Sequence, residues 1–518
     1  MTQDLPRADH RLIIKRIIVR GTLVLDTPTC LGSGDAEGLT DLILLRDSIS
    51  PKALLTGSSL AGALRNYLHE REQGYGKPEV RKGFATKLFG HLFRYEEDET
   101  NKPITDEESQ SPLIIDDAIS SNIPVVELRD GVKIKGATGT ADEGAKYDLE
   151  LLTEGTQFPL CLELLIEKDE AELKKALALA LKGLESGEIG IGMRKRRGFG
   201  RCHVEKWEVW EFDLKKHKGL IDWLKFDRSF KKPSKPTRSD TSIAAALGGI
   251  PLKQEKDRRD RLFIHATFKL TSPLLIRSGQ DLTEKSTTSK DSNKRIPDVV
   301  HLRSQRKGKL EPVASGTSLA GVLRHRAERI VNTLGKDLQI ISDIFGFVEE
   351  QGKQASRLIV HESAIDSIDE IVQNRIAIDR FTGGALHGAL FSEQPIFGIE
   401  KKDNSTKNKK GKGKHQKSEA LGHLKLELEL QNTKNKEHEI GLLLLLLKDL
   451  WTGDLPVGGT SSIGRGRLQG MESTIVWQQP DEPEQKWVIT QDDEKLSISE
   501  QERNKNKLEY FVQKLVDK

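Results

Sequence analysis

The chain has 518 residues, and 82 Lys and Arg against 79 Asp and Glu leave a formal net charge of +3. At about 150 residues per domain the length predicts two to four domains, and 36% hydrophobic with 31% charged residues excludes a disordered chain. No apolar stretch reaches the roughly twenty residues of a membrane span, no signal-peptide pattern is present, and three dispersed cysteines (Cys30, Cys161 and Cys202) exclude a disulfide scaffold, so we expect a cytoplasmic protein without disulfides.

The first half of the chain predicts strands and helices in a simple order. A run rich in Ile, Val and Leu over 12–25 predicts the first strand. The segment GSSLAGALR predicts a helix with an apolar stripe, capped by Ser58 or Ser59. Regularly spaced leucines predict a second helix over 169–185, and a last strand is expected over 203–212.

The same order of elements recurs in the second half of the chain. The repeated blocks, first copy then second, are GSSLAGALR from Gly57 and GTSLAGVLR from Gly316, DLILLR from Asp41 and DVVHLR from Asp298, KGATGTADEGA from Lys135 and DRFTGGALHGA from Asp379, and the Gly/Arg loops over 190–201 and 458–467. A strand over 262–270 and a helix over 437–451 match the first copy. Four blocks in one order indicate two copies of one fold.

Each copy predicts an α+β domain. Strand, helix, strands, helix, glycine loop and strand is the ferredoxin-like βαββαβ order. The predicted divisions are a first domain over 1–224, an exposed linker over 225–258, a second domain over 259–475 with a lysine-rich insertion over 401–417, and a charged tail over 476–518 that includes a helix over 496–516. The linker assignment rests on its Lys, Pro and Ser content, and the insertion suits an anionic partner.

The repeated blocks carry groups that bind phosphate. A Gly-Ser/Thr-Ser opening to a helix offers backbone N–H groups, hydroxyls and the positive end of the dipole. Arginines among glycines allow close approach to a long polyanion, and no Walker A loop is present to hold a nucleoside triphosphate. The candidate RNA-binding residues from these blocks are Ser58, Ser59, Arg65, Arg194, Arg196, Arg197, Arg201, Thr317, Ser318, Arg324, Arg465 and Arg467. With only 5% aromatic residues, backbone tracking is favoured over base stacking.

These motifs resemble the RAMP superfamily of CRISPR-associated proteins. The most specific block is IAIDRFTGGALHGALFSEQPIF over 376–397, and VKIKGATGTADEGAKYDLELLTEGTQF over 132–158 is its altered twin. The order of motifs is similar to that of backbone subunits of type III effector complexes. Two such domains in one polypeptide suggest a III-D-like branch. The resemblance implies two tandem RAMP domains, each with a ferredoxin-like or RRM-like palm and an inserted thumb β-hairpin.

The resemblance also implies partners and a chemistry. Such domains stack along a CRISPR guide RNA (crRNA) beside other RAMP subunits, and the thumb interrupts the duplex of guide and complementary target RNA. It adds Thr138, Arg380 and Thr382 on the thumbs as RNA contacts. In endonucleolytic members one loop aspartate cuts target RNA with a divalent metal, Mg²⁺ or Mn²⁺. Carried onto this sequence, the catalytic and metal-binding residues are Asp41 and Asp298, although both copies lack the family's proline and the second has Ser304 where the first has Asp47.

Physical reasoning supports a single catalytic carboxylate, because RNA supplies its own 2′-OH nucleophile and phosphate ligands for the metal. Two alternatives remain beside this metal-dependent endoribonuclease. The chain could be a non-catalytic RNA-binding scaffold, or a metal-independent enzyme that processes precursor crRNA. The duplicated thumb block argues against the processing enzyme, since one hairpin substrate does not require two thumbs.

Overall fold

The structure is a computed structural model that describes residues 12–33, 43–80, 83–90, 110–136, 138–168, 170–228, 234–252, 255–278, 297–349, 352–399, 422–492, 495–500 and 506–517. Asp41 and the lysine-rich insertion over 401–417 lie outside these described residues. The first domain comprises the described residues up to 252, and the second comprises those from 255 onward.

The first domain is built on a sheet with its first strand in the middle. Its strands are β1 Lys15–Leu25, β2 Leu54–Leu55, β3 Leu113–Ile115, β4 Ala118–Ile119, β5 Val126–Ile134, β6 Ala141–Leu152, β7 Gln157–Ile166, β8 Cys202–Asp213 and β9 Arg238–Asp240. Its helices are α1 Gly57–Gln73, α2 Phe84–Phe89, α3 Glu170–Glu185, α4 His217–Lys225 and α5 Ile243–Ala246. The main sheet has the order β3-β7-β1-β8-β9, and all of its neighbours are antiparallel.

The second domain repeats this plan. Its strands are β10 Arg261–Leu270, β11 Arg277–Ser278, β12 Val299–His301, β13 Arg303–Arg306, β14 Lys309–Ala314, β15 Phe347–Glu349, β16 Gly352–Gln354, β17 Leu358–Val360, β18 Ser363–Asp366, β19 Ile368–Glu370, β20 Gln373–Arg375, β21 Phe391–Gln394, β22 Ile396–Gly398, β23 His423–Gln431, β24 Leu468–Gln478, β25 Gln485–Asp492 and β26 Lys495–Glu500. Its helices are α6 Gly316–Thr333, α7 Gln339–Phe345, α8 Glu437–Trp451 and α9 Lys507–Asp517. Strand β10 lies between β23 and β24 as β1 lies between β7 and β8, which confirms the duplication.

Each sheet alternates apolar and polar residues, so one face forms a core and the other faces outward. On β1, Ile17, Val19 and Leu23 are fully buried against α1 and α3. On β10, Leu262, Ile264 and Phe268 are buried against α6 and α8 in the same way. The two domains therefore have separate hydrophobic cores.

The helix caps differ from the prediction. Helix α1 is capped by Thr56, whose side chain accepts a hydrogen bond from the Ser59 N–H, and α6 is capped by Ser315, which accepts from the Ser318 N–H. Ser58 and Ser59 already lie inside the helix, so their predicted capping role is wrong. The cap falls one residue before each repeated glycine because that residue still has extended backbone geometry.

The predicted linker over 225–258 is largely folded onto the first domain. Strand β9 pairs with β8 at the edge of the sheet. Helix α5 buries Ile243, Ala246 and Leu247 in the first core. Both elements lie inside the range that was predicted as an exposed linker. The linker prediction is therefore corrected, since these residues belong to the first domain.

The predicted C-terminal tail is also part of the second domain. Residues 485–500 form β25 and β26, which extend the second sheet. Among the tail residues that the structure describes, the helical segment is α9, which buries Phe511 and Leu515 against the second core. The prediction of one charged helix over 496–516 is wrong for its first part, because those residues pair with a strand edge.

Candidate functional site

The two Gly/Arg loops have the same backbone. Loop one (190–201) and loop two (458–467) each begin a single 3₁₀ turn after a residue with positive φ, Arg194 at 56° and Thr460 at 59°. Each turn ends at a glycine with positive φ, Gly198 at 87° and Gly464 at 84°. The repeat therefore places equivalent loops in both domains, but their surroundings differ.

Loop one is inserted against the second domain. A Cβ at Gly198 would lie 2.4 Å from the Glu362 backbone nitrogen, so only glycine permits this approach. Arg201 Nη1 lies 2.9 Å from Glu427 Oε2, and the Arg196 guanidinium donates to the Gln431 amide oxygen. Two of the predicted RNA-binding arginines are thus engaged between the domains. Both lie at the domain interface, because β23 of the second domain offers them acceptors, and their contact with RNA stays a prediction.

A buried ion cluster joins the domains beside this contact. Arg129 of β5 and Arg306 of β13 both donate to the Glu362 carboxylate, at 2.6 Å each for the shortest contact. Arg306 also pairs with Glu154 at 3.1 Å, and Arg129 with Glu127. Although burial raises it, the Arg129 and Arg306 charges hold the pKa of Glu362 below its ordinary value.

Sequence reasoning missed this cluster, since its members come from four separate segments of the chain (Glu127 with Arg129, Glu154, Arg306 and Glu362) and none of them is among the candidate site residues. No local sequence pattern links these charges, because the partners lie far apart along the chain. Such a network fixes the relative position of the two domains, because each buried charge needs the others.

The repeated helix arginines hold the fold of their own domains. Arg65 donates to both carboxylate oxygens of Glu79, at 3.0 and 2.8 Å, and to the Gly90 carbonyl at 3.0 Å. Arg324 donates to the Gly346 carbonyl at 3.0 Å and to Glu328 at 3.2 Å. Both glycines end the short helix that follows, α2 or α7. A shared role in capping these helices explains the repetition of Arg65 and Arg324, and their contact with RNA stays a prediction.

The helix N-termini are less open than predicted. In α1 the Gly57 N–H donates to Asp117 Oδ1 at 2.7 Å, which places a carboxylate where a phosphate was expected. In α6 a Cβ at Gly316 would lie 2.3 Å from the Arg197 carbonyl oxygen, so loop one covers this end. Thr317 and Ser318 are half-buried there, whereas Ser58 and Ser59 stay exposed. The two predicted anion sites are therefore no longer equivalent.

A cleft of about 410 Å³ lies between α1 and loop one. It is lined by Thr56, Ser59 and Asn66 from the helix and by Lys195 from the loop. Arg194, next to Lys195 in the loop, has its guanidinium 4.1 Å above the Tyr147 ring of β6. Burial and the Arg324 charge lower the pKa of the neighbouring Arg197. This cleft gathers hydroxyl, amide and cationic groups from two repeated blocks, and Asn66 and Lys195 are members that the prediction omitted.

Loop two has no neighbour of this kind among the described residues. Ser461, Ser462 and Ile463 are exposed. Arg465 is only 3% exposed and pairs with Glu393 at 2.8 Å, so its predicted contact with RNA is corrected to a structural ion pair. Arg467 is exposed and donates to the Gly453 carbonyl at 3.2 Å.

Two hairpins project from the sheets. Hairpin one is formed by β5 and β6, and hairpin two by β20 and β21. The predicted contacts Thr138, Arg380 and Thr382 are all exposed near the hairpin tips. Asp379 organises the second tip by accepting from the Thr382 N–H at 2.8 Å, and this hydrogen bond lowers the pKa of Asp379.

Hairpin one reaches the second domain. A Cβ at Gly136 would lie 3.2 Å from Glu328 Oε2 and 3.5 Å from the His325 ring, both on α6. The hairpin therefore crosses from its own domain to the middle of a helix in the next one. Hairpin two carries large exposed apolar side chains, of which Phe381 is 91% exposed.

Asp298 is the predicted catalytic aspartate that falls within the described residues. Asp41 lies outside the described residues. Asp298 is exposed at the base of hairpin two, where Oδ2 accepts from the Ser392 N–H at 2.7 Å and from its hydroxyl at 3.1 Å. Within the described ranges, no three His, Cys, Asp or Glu side chains are grouped as a metal site. Asp298 is thus a single accessible carboxylate.

Membrane-spanning helices and disulfides were both considered in the sequence. In the part of the chain that the structure describes, no helix combines the length and apolar character that crossing a bilayer requires. Cys30, Cys161 and Cys202 are all free thiols.

The comparison with known proteins gives one match for each of the two domains. A family model described as the RAMP superfamily matches residues 22–203 and again 267–469, one match in each domain. No curated protein matches the chain. Because the two matches together cover well over half of the sequence, the chain belongs to the RAMP superfamily.

Proposed function

We propose that this chain is a tandem backbone subunit of a type III CRISPR effector complex, of a III-D-like kind, that binds crRNA and positions complementary target RNA. Membership of the RAMP superfamily in both halves is the observation that carries the proposal. The order β3-β7-β1-β8, repeated around β10, supports a ferredoxin-like palm in each domain. The two projecting hairpins match the expected thumbs.

The geometry supports a continuous RNA track over both domains. Hairpin one bridges from the first domain to α6 of the second, and its Tyr147 lies against Arg194 of loop one. Ser58, Ser59 and Thr138 are exposed in the first domain, and Arg380 and Thr382 are exposed at the tip of hairpin two. Hydroxyls and cations without aromatic platforms suit contacts to phosphate and sugar, which carry no base specificity.

A salt titration tests the RNA track. Lys195→Ala and Arg380→Ala should weaken binding to all RNA sequences alike and lower the salt slope by about one for each lost phosphate contact. Lys486→Ala, on the exposed outer part of the second sheet, is the matched control and should leave the slope unchanged. A loss restricted to particular sequences, or an equal loss in the control, would contradict backbone tracking.

We further propose that Asp298 and Asp41 take part in cleavage of target RNA with Mg²⁺ or Mn²⁺. Asp298 fits a site with one protein ligand, since it is exposed and hard cations accept water and phosphate oxygens as their other ligands. The metal would offset charge on the phosphate that is attacked. The carboxylate of Asp298, fixed by Ser392, would orient or deprotonate the 2′-OH. In the first repeat Asp148 holds the position of Ser392, which adds a second carboxylate to that site.

The alternative function is a scaffold without catalysis. It is favoured by the small number of acids around Asp298 within the described ranges. The test is cleavage of complementary RNA in the assembled complex, where Asp41→Ala and Asp298→Ala should each remove a different product and EDTA should remove both. Unchanged products in both variants would leave the scaffold as the function. Cleavage of precursor crRNA that persists in EDTA would instead support the processing enzyme.

A further inference from the structure

The C-terminal part of the second domain lies beyond the family match. The match ends at residue 469, near the start of β24, so most of β24 and all of β25, β26 and α9 fall outside it. Strand β25 pairs with β24, and β26 pairs with β25 in an antiparallel hairpin that lengthens the second sheet. None of the residues proposed to contact RNA lies on this hairpin, so the proposed function leaves it without a role.

Strand β26 is an open edge of the second sheet. Of the other edge strands of the two main sheets, β3 and β9 have three residues each. Strand β13 is met by hairpin one, whose Glu127 accepts from the Ser304 hydroxyl at 2.9 Å. Strand β26 has six residues and, within the described ranges, pairs with β25 alone. An edge of this kind presents a row of unpaired N–H and C=O groups to a further strand.

The side chains of β26 alternate between apolar and polar. Leu496 and Ile498 are 52% and 51% exposed, and in the strand register Ile498 stands opposite Ile489 of β25. Ser497 and Ser499 belong to the other face of the strand and are also exposed. A strand added at this edge would therefore bury two apolar side chains on one face while its backbone pairs with the free N–H and C=O groups of β26.

The hairpin is held in place by the core of the second domain. Trp487 of β25 is fully buried against Phe511 of α9, with ring centroids 6.1 Å apart. A Cβ at Gly441 of α8 would lie 2.2 Å from the Phe511 carbonyl oxygen, so α9 is seated directly on α8. Gln491 of β25 accepts a hydrogen bond from the Trp451 indole. The edge is thus preformed, which lowers the entropy cost of adding a strand.

The hairpin is also strongly acidic, in a chain whose net charge is +3. Between 481 and 502, eight carboxylates against two lysines leave a net charge of −6. Lys256 pairs with one of these acids, Asp481, at 2.5 Å. Like charges repel, so this edge disfavours both RNA and the same edge of a second copy, and it suits a segment that carries lysine and arginine. The acidic residues are Asp481, Glu482, Glu484, Asp492, Asp493, Glu494, Glu500 and Glu502.

We propose that β26 binds an extended, basic segment of a partner protein as an additional strand of the second sheet. Backbone hydrogen bonds supply the affinity in this mode of binding, and alternate side chains supply the specificity. Leu496 and Ile498 select apolar residues at every second position of the segment, and the acidic surroundings select lysine and arginine between them. The proposal goes beyond RNA binding and does not depend on it.

Peptide binding to the full chain tests the proposal. The probe is a fluorescein-labelled peptide in which valine alternates with lysine, arginine and threonine, and its binding is measured by fluorescence anisotropy. It should bind at low salt, weaken as salt screens the charges, and protect the amides of 495–500 from hydrogen exchange. The same peptide with every backbone nitrogen methylated should bind about tenfold more weakly, and so should a version with glutamate in place of lysine and arginine.

A matched pair of variants locates the binding. Ile498→Lys places a cation on the edge, as natural edge strands do to prevent pairing, and should weaken binding of the basic peptide about tenfold. Leu310→Lys is the control, since Leu310 is 43% exposed on β14 near the other end of the same sheet, and should leave binding unchanged. Both variants should bind RNA like the unaltered chain, so failure of this test is distinguishable from failure of RNA binding.

Several outcomes would overturn the proposal. They are no binding of the basic peptide, equal binding of the methylated or acidic peptide, and equal weakening in the two variants. Self-association of the unaltered chain that Ile498→Lys abolishes would assign the edge to a second copy instead. Tighter binding of a peptide copied from 401–417 than of the alternating peptide would assign it to the chain's own lysine-rich insertion.

Discussion

The contact between the Gly/Arg loop and the hairpin is made by different residue types in the two domains. In the second, loop two is fixed to hairpin two by the buried pair of Arg465 and Glu393. In the first, the matching positions are Phe199 and Leu149, which pack together in a small apolar cluster. The backbone of the loops is the same, so the contact between loop and hairpin is conserved in geometry while its chemistry has changed. A buried ion pair and an apolar pair of similar volume can stabilise a fold to a similar extent.

The largest expected effect separates two matching positions, each two residues after the end of β17 or β3. Glu362 is surrounded by Arg129 and Arg306, whereas its first-domain counterpart Asp117 is exposed and accepts only from the Gly57 N–H among the contacts described. Glu362→Gln should lower the free energy of unfolding by about 3–5 kcal/mol, since two guanidinium groups lose their buried partner. Urea unfolding measures this loss. Asp117→Asn is the matched control, with about 1 kcal/mol expected, and equal losses in both variants would show that the cluster does not couple the domains.

The next prediction converts the second domain to the chemistry of the first. Glu393→Leu alone should cost about 3 kcal/mol, because Arg465 is only 3% exposed and would be buried without its carboxylate. Arg465→Phe added to it copies Leu149 and Phe199 and should recover roughly 2 kcal/mol. A double-mutant cycle by chemical denaturation gives this coupling. Additive losses would mean that Arg375 and Arg277, which also contact Glu393, dominate at this site.

A pH-dependent difference is expected at the loop that carries Asp298. His301 is buried, accepts from the Ile276 N–H and donates to the Val313 carbonyl, and burial lowers the pKa of His301 to about 4. The first domain has Leu44 at this position. Because the folded state disfavours the protonated ring, stability is complete above the unfolded pKa of about 6.5 and falls as the pH drops towards 4, by roughly 2 kcal/mol at pH 5.

His301→Leu tests this dependence. The variant should lose about 1–3 kcal/mol at pH 7.5, since the two backbone groups lose their partner. Its further loss between pH 7.5 and pH 5 should be smaller than that of the unaltered chain by roughly 2 kcal/mol. The comparison between the two proteins is needed because burial and the Arg201 charge also lower the pKa of His361, to about 4. Identical pH dependence in both proteins would contradict a neutral His301 in the folded state.

Repeats, periodicity and the family's motifs predicted the main helices and strands of both domains closely. Helix α8 has the predicted bounds, and α3, β8 and β10 begin or end within a few residues of prediction. The predictions for the linker and the tail were wrong. Local composition does not show that β9 or β26 can pair with the edge strand of a sheet formed elsewhere in the chain. Site residues were least predictable. Whether an arginine is free for RNA depends on acceptors far along the chain, such as Glu427 for Arg201.

The smallest expected effect concerns Arg65 and Arg324, the arginines repeated on α1 and α6. Arg65→Lys should cost about 1–2 kcal/mol, since lysine cannot satisfy both oxygens of Glu79 and the Gly90 carbonyl together. Arg324→Lys should cost less, about 0.5 kcal/mol, because its side chain is 35% exposed and its partner Glu328 is one helical turn away. Neither variant should change the salt slope of RNA binding. A lowered slope in either variant would show that its arginine contacts RNA. A larger loss of stability for Arg324→Lys than for Arg65→Lys would contradict the expectation that the more buried arginine contributes more.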